Sequence, residues 1–334
     1  MPAIMEQPFP KSTSAAERCR RLFEVVSIED TVAVLIDADP DAMASALALK
    51  RLFWRKVRKT VIFHINAIQR ADNLSFIRLL NVRQHPMRDL DAAGFTKWAI
   101  VDSQPHHHEQ LGKYRFDIII DHHPLRHPSP ALLVDIREGY GAASTILVEY
   151  LRAAGIRPSA RLATALFYGI KTDTDNFARP TTPNDINAFR YLYPFTNIGI
   201  IKKIESSEMT KETLADFRTA LGNLILVKDR AFIHMGRVSN PDTLVIMADF
   251  FLKMAEATWC IVSGVCGQKL VVIFRHAGFR LDAGKTAQRL FGQWGAAGGH
   301  KSAARAEMPL QAIEPELRNG MDPGDFVLGR IRRM

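Results

Sequence analysis

The segment from Asp117 to Pro124, which reads Asp-Ile-Ile-Ile-Asp-His-His-Pro, is the sequence feature that most limits the fold. Its three isoleucines form a short apolar β-branched run, which is typical of a buried strand in a parallel sheet. The run ends on Asp121, His122 and His123, and Pro124 stops regular strand pairing. Ligands of open α/β sheets bind beyond the carboxyl ends of the strands, so these three side chains are predicted to lie at a functional site.

An apolar run followed by acidic residues also occurs near the start of the chain. Residues 31–36 predict a buried strand that is followed by Asp37, Asp39 and Asp41 and then by a helix over 42–54. This order begins a βαβ unit. Asp41 could be favoured by the helix dipole alone. Three acids within five residues repel each other, however, and a bound cation is the simplest compensation.

Two more acids follow predicted elements in the first half. Residues 97–101 predict a strand that ends at Asp102, and a helix over 158–168 leads into a turn that carries Asp173. Parallel strands bring their carboxyl ends together, so these acids are predicted to meet Asp121 and the two histidines. Carboxylates with one or two imidazoles suit a divalent ion, with manganese the first choice and magnesium the second. His106, His107 and His108 are interpreted as a solvated loop or helix start, because adjacent residues do not share one face.

Composition places the chain among globular proteins. Of 334 residues, 47% are hydrophobic and 24% are charged, and the length favours two domains. No apolar run approaches the roughly 20 residues of a membrane span, so no membrane partner is expected. Three cysteines provide neither a disulfide framework nor a paired zinc motif, which fits a cytoplasmic protein. The net charge of +9 suggests anionic partners such as nucleotides, although a solubilising surface explains it almost as well.

The C-terminal part is predicted to form a second, β-rich α/β domain. Alternating runs over 231–235, 258–266 and 269–275 predict strands, and 282–294 predict a helix. Residues 295–304 follow as a predicted glycine-rich loop with a histidine and a lysine. Glycines allow backbone amides to approach an anion closely, so this loop is a candidate phosphate site.

Together these segments resemble the DHH/DHHA1 phosphoesterases, and most closely their nanoRNase and phosphoadenosine-phosphate phosphatase branch. Residues 37–45 are similar to the first motif of that family, Val101 and Asp102 to the second, and Asp121 to His123 are its signature third motif. Residues 169–177 resemble the fourth motif, and 298–304 resemble the Gly-Gly-His motif of the second domain. The resemblance implies a DHH catalytic metal-binding domain over 1–205, a helical connector over 206–225 and a DHHA1 substrate-binding domain over 226–334.

The resemblance also implies a role for each matching residue. It implies that two metal ions are bound by five ligands, which are Asp39, Asp41, Asp102, His122 and Asp173. His123 would act as a general acid or hydrogen-bond donor toward the leaving oxygen, and Asp121 would orient the imidazoles. Four residues of the second domain would hold a substrate phosphate: Arg275, Gly298, Gly299 and His300. Closure of the second domain over the first would complete the site.

Two positions depart from the family pattern. Leu35 stands where the nanoRNase branch has a histidine, so the first metal site is predicted to be weaker unless Asp37 or water replaces that ligand. A two-metal stoichiometry at low micromolar manganese would contradict this prediction. Asp175 stands where the family has glycine, and the sequence leaves open whether it adds a ligand or only an exposed charge.

The sequence therefore predicts a metal-dependent hydrolase that uses a water activated by two metals. Its expected substrates are short single-stranded RNA or DNA, or nucleotide 3′,5′-bisphosphates. Within the same superfamily, a pyrophosphatase, a polyphosphatase and a cyclic-dinucleotide phosphodiesterase remain alternatives, and a processive single-strand exonuclease is less favoured. The loss of a ligand at Leu35 also leaves open a catalytically reduced nucleic-acid-binding relative. The oligomeric state stays open, and a homodimer is allowed.

Overall fold

A computed structural model describes residues 14–207, 211–278, 281–317 and 320–334. The chain divides into two compact units, with the boundary next to residue 208. The two predicted α/β parts are confirmed as a parallel six-stranded sheet with helices and a second, mixed sheet with helices. No helix in the described residues combines the length and the apolar character needed to cross a bilayer.

The first unit is built around strands that all run parallel. In chain order its strands and helices are α1 (Ala15–Glu24), β1 (Thr31–Ile36), α2 (Pro40–Leu52), β2 (Lys59–His64), α3 (Ala71–Leu79), β3 (His85–Pro86), β4 (Lys97–Val101), β5 (Ile118–Asp121), β6 (Leu133–Ile136), α4 (Ala143–Ala153), α5 (Ala160–Asp173), α6 (Pro183–Leu192) and α7 (Ile198–Glu205). The strand order is β3-β2-β1-β4-β5-β6. The chain thus reverses its direction of travel across the sheet between β1 and β4, and such a switch point leaves a crevice at the carboxyl ends of the strands.

Alternation along β1 divides the core of the first unit into two layers. Val32, Val34 and Ile36 face the helices and pack in the larger apolar cluster with α2, α4 and α5. Ala33 and Leu35 face the opposite side of the sheet, where loop residues such as Leu111 cover them. All of the strand's residues from Val32 to Ile36 are buried, which explains why β1 reads as a continuous apolar run.

The second unit contains a six-stranded mixed sheet between two helical layers. Its elements are α8 (Lys211–Gly222), β7 (Ile225–Val227), β8 (Arg230–Arg237), α9 (Asp242–Phe251), β9 (Trp259–Cys266), β10 (Lys269–His276), α10 (Ala283–Phe291), β11 (Ala296–Gly299), β12 (Ala303–Pro309), α11 (Leu310–Ile313) and α12 (Pro323–Arg332). The order is β11-β12-β10-β9-β8-β7, and only the β8–β9 pair is parallel. Helix α8, which lies in the segment predicted as a connector, packs on β8 and α9 of this unit.

The prediction that residues 295–304 form a loop is wrong for most of this segment. Residues 296–299 form strand β11, which pairs antiparallel with β12. The glycines instead allow α10 and the hairpin to approach each other closely. A Cβ on Gly284 of α10 would lie 2.4 Å from the carbonyl oxygen of Gly299. A Cβ on Gly299 would lie 2.4 Å from the carbonyl oxygen of Ala303, and its φ of +148° is one that side chains rarely adopt. These small residues pack a hairpin against a helix.

Candidate metal centre

The acids and histidines of the first unit follow the carboxyl ends of three adjacent strands. Asp39 and Asp41 follow β1, Asp102 follows β4, and β5 ends at Asp121. Asp102 has a φ of +57°, and a residue other than glycine rarely adopts this left-handed conformation. Such backbone strain persists where the surroundings fix it, and it is commonest at functional sites.

Four potential ligands meet where β4 and β5 end. One ligand-type atom each from Asp102, Asp121, His122 and His123 lies within 4.8 Å of the others. His122 Nε2 is 3.3 Å from Asp102 Oδ1. On the other side of the same ring, His122 Nδ1 is 3.0 Å from the carbonyl oxygen of Tyr140. A hydrogen bond from Nδ1–H to that oxygen leaves the Nε2 lone pair for a cation, as in many metal-binding histidines.

A second group of ligands shares His122. Atoms of Asp41, His122 and Asp173 lie within 4.8 Å of one another, and His122 Nε2 is 2.9 Å from Asp173 Oδ2. Asp173 ends α5, which crosses directly over α2 and α4 at Gly169. A Cβ on Gly169 would lie 2.7 Å from Ser144 Oγ and 3.1 Å from Asp41 Cα, so the glycine permits the close packing that brings these carboxylates together.

Buried ligand atoms in this cluster fit a cation. His122 Nε2, Asp102 Oδ1 and Asp173 Oδ2 are buried and make ionic contacts at 3.3 and 2.9 Å, but none of these contacts has the geometry of a hydrogen bond among the described residues. Buried polar atoms nearly always form hydrogen bonds, so converging nitrogen and oxygen atoms that lack one are suited to a bound ligand. An imidazole with several carboxylates suits a divalent ion such as manganese. The residues present therefore fit the metal that the sequence predicts.

The electrostatics of the cluster point the same way. Burial and the neighbouring acid Asp41 raise the pKa of Asp39 to about 7. Burial and Asp173 raise the pKa of Asp41 to about 6, and burial raises that of Asp102 well above its usual value. Burial alone would lower the pKa of His122, but Asp102 and Asp173 offset this and raise it to about 12. Without a cation, the cluster holds protons to limit repulsion between its carboxylates.

His123 is oriented by a buried chain of hydrogen bonds. Its Nδ1 lies 2.8 Å from Asp121 Oδ1, and Gln104 Nε2 donates to Asp121 Oδ2 at 2.6 Å. Gln104 also donates to the carbonyl oxygen of His123 at 3.1 Å. Burial raises the pKa of Asp121, but the bonds from His123 and Gln104 outweigh it and lower the value to about 2. Asp121 therefore stays ionised and fixes the His123 ring, with its Nε2 on the side away from the carboxylate.

Other predicted positions lie outside both ligand groups found in the described residues. The Asp39 side chain caps α2 by accepting a hydrogen bond from Ala42 N at 2.8 Å, and its role as a ligand stays a prediction. Asp37 is exposed. Leu35 is fully buried in the apolar layer with Phe63 and Ile100, so that face of β1 offers no ligand at this position.

Asp175 lies in a turn whose backbone conformation favours glycine, the residue that the family motif has at this position. Asp175, Asn176 and Phe177 all have positive φ angles, of 49°, 55° and 66°. Glycine adopts this conformation without strain, and aspartate and asparagine tolerate it better than most residues. The Asp175 side chain is exposed and belongs to neither ligand group of the described residues. The departure from glycine is therefore compatible with the backbone of this turn.

The predicted phosphate-binding residues lie in the second unit. Arg275 Nε is 2.5 Å from Asp249 Oδ1, so this guanidinium already pairs with an acid. Gly298 and Gly299 belong to β11, and His300 N donates to the carbonyl oxygen of Ala303 at 2.7 Å in the turn of the hairpin. Their roles toward a substrate stay predictions.

Sequence reasoning missed several residues that support the cluster. Gln104 and the Tyr140 carbonyl were not predicted, because a buried glutamine and a backbone oxygen leave no spacing signal. His106 to His108 do form a loop, as expected. However, the His106 ring contacts those of His107 and His127, and the centroid of the His107 ring lies 5.4 Å from that of His123.

Comparison with known proteins places this cluster in a family. Residues 31–170 match the model described as the DHH family, N-terminal domain. The first unit carries a DHH-family domain. The predicted resemblance is thereby confirmed at the level of the family, while the nanoRNase branch stays a prediction. The match covers β1 and β5 and therefore includes the Asp-His-His segment on which the predicted resemblance partly rests.

Relatives and solved structures extend the likeness beyond the DHH domain. The chain is 36% identical over 276 residues to the uncharacterized protein MJ1633 of Methanocaldococcus jannaschii, covering 82% of this chain and 57% of that protein. It is 28% identical over 267 residues to an A-adding tRNA nucleotidyltransferase of Geobacter sulfurreducens, covering 74% and 28%. The chain thus spans between about a quarter and somewhat over half of these relatives.

Among solved structures, the fold is similar to that of an exopolyphosphatase-related protein from Bacteroides fragilis. The TM-score is 0.71 at 15% identity, over 92% of this chain and 96% of the other. RecJ from Thermus thermophilus, determined in complex with Mn2+, matches with a TM-score of 0.55 at 15% identity, over 94% of this chain and 55% of the other. At such identities the likeness establishes the fold alone.

Proposed function

We propose that the protein is a metal-dependent phosphoesterase that hydrolyses short oligonucleotides or nucleotide 3′,5′-bisphosphates. The observation that carries this proposal is the convergence of buried ligand atoms of His122, Asp102 and Asp173, which make ionic contacts without hydrogen-bond geometry, at the switch point of the DHH sheet. Structural ion pairs in a protein interior are normally reinforced by hydrogen bonds. An imidazole nitrogen and carboxylate oxygens that converge without such bonds form a donor set that suits a divalent ion.

Asp41, Asp102, His122 and Asp173 would hold the metal, with Asp39 as a further predicted ligand. Divalent ions bound there supply Lewis-acid activation of water and neutralise charge on phosphate oxygens. Manganese is the first ion to test, because a RecJ structure of the same fold was determined with it.

His123 has the arrangement of a proton donor toward the leaving oxygen. Asp121 holds its Nδ1 side, and Gln104 holds Asp121 in turn. This leaves His123 Nε2 as the nitrogen that can give a proton to an alkoxide. The predicted phosphate contacts of Arg275 and His300 would bind the rest of the substrate.

Hydrolysis of a labelled RNA ladder of two to five nucleotides tests the proposal. We expect turnover with manganese, none with chelator, and a large loss in His123→Ala and Asp173→Ala proteins. His108→Ala is the matched control, because His108 is an exposed histidine outside both ligand groups. A 3′,5′-bisphosphate nucleotide in parallel would separate the two proposed substrates.

Other outcomes would replace the proposal. Release of phosphate from pyrophosphate or polyphosphate, without action on the RNA ladder, would make the protein a phosphoanhydride hydrolase of the same fold. Opening of a cyclic dinucleotide alone would make it a phosphodiesterase of that class. Absence of all turnover and of bound metal would identify a catalytically reduced relative, for which the buried Leu35 is the structural argument.

A further inference from the structure

A basic groove lies in the first unit where α2 ends and β2 begins, whereas the metal centre lies beyond the carboxyl ends of the strands. Its wall is formed by the end of α2, the turn that follows it, the first half of β2, and residues at the start of β3, and its volume is about 510 Å³. The groove, called the basic groove below, is lined by Lys50, Phe53, Trp54, Arg55, Val57, Arg58, Lys59, Thr60, Val61, Arg83 and His85. Strand β2 starts here and runs toward the carboxyl ends of the strands, where the ligand groups lie, and none of the residues of those groups lines the groove.

The charges of the basic groove are all of one sign. Five of its residues are lysine or arginine, and none is acidic. None of these five cations has an ion pair with a carboxylate among the described residues. Burial lowers the pKa of Lys50, and the nearby Arg83 and Lys59 lower it further. Like charges held this close to each other destabilise the fold unless an anion binds between them.

Asp30, whose backbone is hydrogen-bonded to that of Arg58, does not pair its carboxylate with the cations of the groove. The backbone oxygen of Asp30 accepts from Arg58 N, but its carboxylate is bound by Ser27 and Thr96. The cations are therefore available for an external anion.

An aromatic ring accompanies the charges. The Trp54 side chain follows α2 and is 65% exposed, although the neighbouring Phe53 is almost fully buried. An exposed indole next to unpaired cations is the combination with which proteins bind nucleotides, because the base stacks on the ring and the phosphates pair with the cations. A volume of this size also suits a small ligand. A surface that served solubility alone would need neither the concave shape nor the indole.

We propose that the basic groove is a second binding site of the DHH domain and that it takes a phosphorylated nucleoside. The base would stack on Trp54, and the phosphates would pair with Arg55, Arg58 and Arg83. Two sources share this chemistry: a free nucleotide, and a nucleotide within a single-stranded nucleic acid. The groove is distinct from the metal centre, so its occupation does not depend on catalysis.

Equilibrium binding by the 334-residue chain tests the proposal, with chelator present so that no probe is hydrolysed. The probes are a fluorescein-labelled 12-nucleotide oligoadenylate RNA, with ATP and inorganic tripolyphosphate as competitors. The variants are Arg58→Glu/Arg83→Glu and Trp54→Ala. Lys202→Glu/Lys203→Glu is the matched control, because both lysines are exposed, lie on α7 and give the same change in charge. Circular dichroism confirms that each variant is folded.

We expect the dissociation constant for the RNA to rise about 10-fold or more in the double arginine variant and about 5-fold or more in Trp54→Ala. The control should stay within about 2-fold of the unmodified protein. ATP should compete better than tripolyphosphate, and Trp54→Ala should remove that difference. Full competition by ATP identifies the free nucleotide as a sufficient ligand, whereas competition only by unlabelled RNA identifies the strand; either supports the site.

Equal RNA binding by the double arginine variant and the control would overturn the proposal. Unchanged binding by Trp54→Ala, with tripolyphosphate as effective as ATP, would also overturn it, because the groove would then attract phosphates by charge alone. Neither result bears on hydrolysis at the metal centre.

Discussion

His122 has the most constrained side chain of the centre, because both of its ring nitrogens have fixed surroundings. One faces the carbonyl oxygen of Tyr140, and the other lies between Asp102 and Asp173. Replacement by alanine removes the nitrogen shared by the two ligand groups.

For His122→Ala we predict a loss of manganese affinity of about 100-fold or more, with His108→Ala unchanged. Isothermal titration with manganese checks this directly. Equal affinity in the two variants would mean that the shared imidazole is not a ligand.

Gln104 is predicted to be a positioning residue. Its side chain is buried and donates to Asp121, which holds His123. Gln104→Leu removes that donor, so the Asp121 carboxylate is held less firmly and the His123 ring loses its fixed orientation. We expect kcat to fall about 10- to 100-fold while manganese affinity changes little.

Steady-state kinetics and titration on the same Gln104→Leu preparation give the two values. Gln104→Asn, which keeps an amide on a shorter side chain, is the conservative comparison and should retain more activity. A fall in kcat that merely follows a loss of manganese affinity would refute the positioning role.

At the scale of single residues, the sequence predicted which acids and histidines cluster better than it predicted the residues that hold them in place. Asp102, Asp121, His122 and Asp173 were predicted from strand ends and motif order, and the fold brings them together. Gln104 could not be predicted in this way. Its importance depends on a contact with Asp121, 17 positions away, and no periodicity reveals such a contact.

Helix α4 depends on an acid from another helix. Its own N-cap position is Ala142, which has no side-chain acceptor. The carboxylate of Asp41 instead accepts hydrogen bonds from Ala143 N at 2.6 Å and Ser144 N at 2.8 Å. Asp41 thus connects the metal centre to the start of α4.

We therefore predict that Asp41→Ala is less stable than Asp173→Ala in the presence of chelator. Both variants relieve repulsion between the carboxylates, but only the first leaves two buried N–H groups of α4 without an acceptor. The difference in free energy of unfolding should be about 1 to 2 kcal/mol. Urea denaturation of the two variants measures it, and equal midpoints with equal slopes would show that the cap contributes nothing.

At the scale of elements, apolar runs predicted strands reliably, whereas the glycine-rich segment was not recognised as a strand. Strands β1, β4 and β5 lie close to their predicted positions, because strands buried on both faces consist of continuous apolar residues. Strand β11 was missed, since Ala-Ala-Gly-Gly has no strand propensity and is held by pairing with β12. Helices α3 and α9 were also missed, where tertiary packing outweighs the local pattern.

The whole molecule should respond to pH through its metal centre. Asp39 and Asp41 have pKa values of about 7 and 6, above those of an unfolded chain, so their ionisation costs stability as the pH rises from about 4 to 7. The raised pKa of His122 acts in the same direction: its stabilisation is complete below about pH 6.5 and declines above it. A cation bound by Asp41 and His122 would offset the repulsion between the carboxylates and take the place of the proton on His122 Nε2.

We predict that the rise in Tm caused by manganese is larger at pH 8 than at pH 5. Thermal unfolding with manganese and with chelator at both pH values gives this difference, in which contributions from other titrating groups cancel. His122→Ala should show a much smaller dependence. A rise in Tm that is the same at both pH values would contradict the pKa shifts of the cluster.

Manganese-edge anomalous diffraction from crystals of the 334-residue chain tests the metal centre most directly. We predict a strong anomalous peak within bonding distance of His122 Nε2 and the carboxylates of Asp102 and Asp173. A second peak should be weaker, because Leu35 supplies no ligand. Absence of any peak at His122 in crystals grown with millimolar manganese would contradict the assignment of these residues to a metal centre.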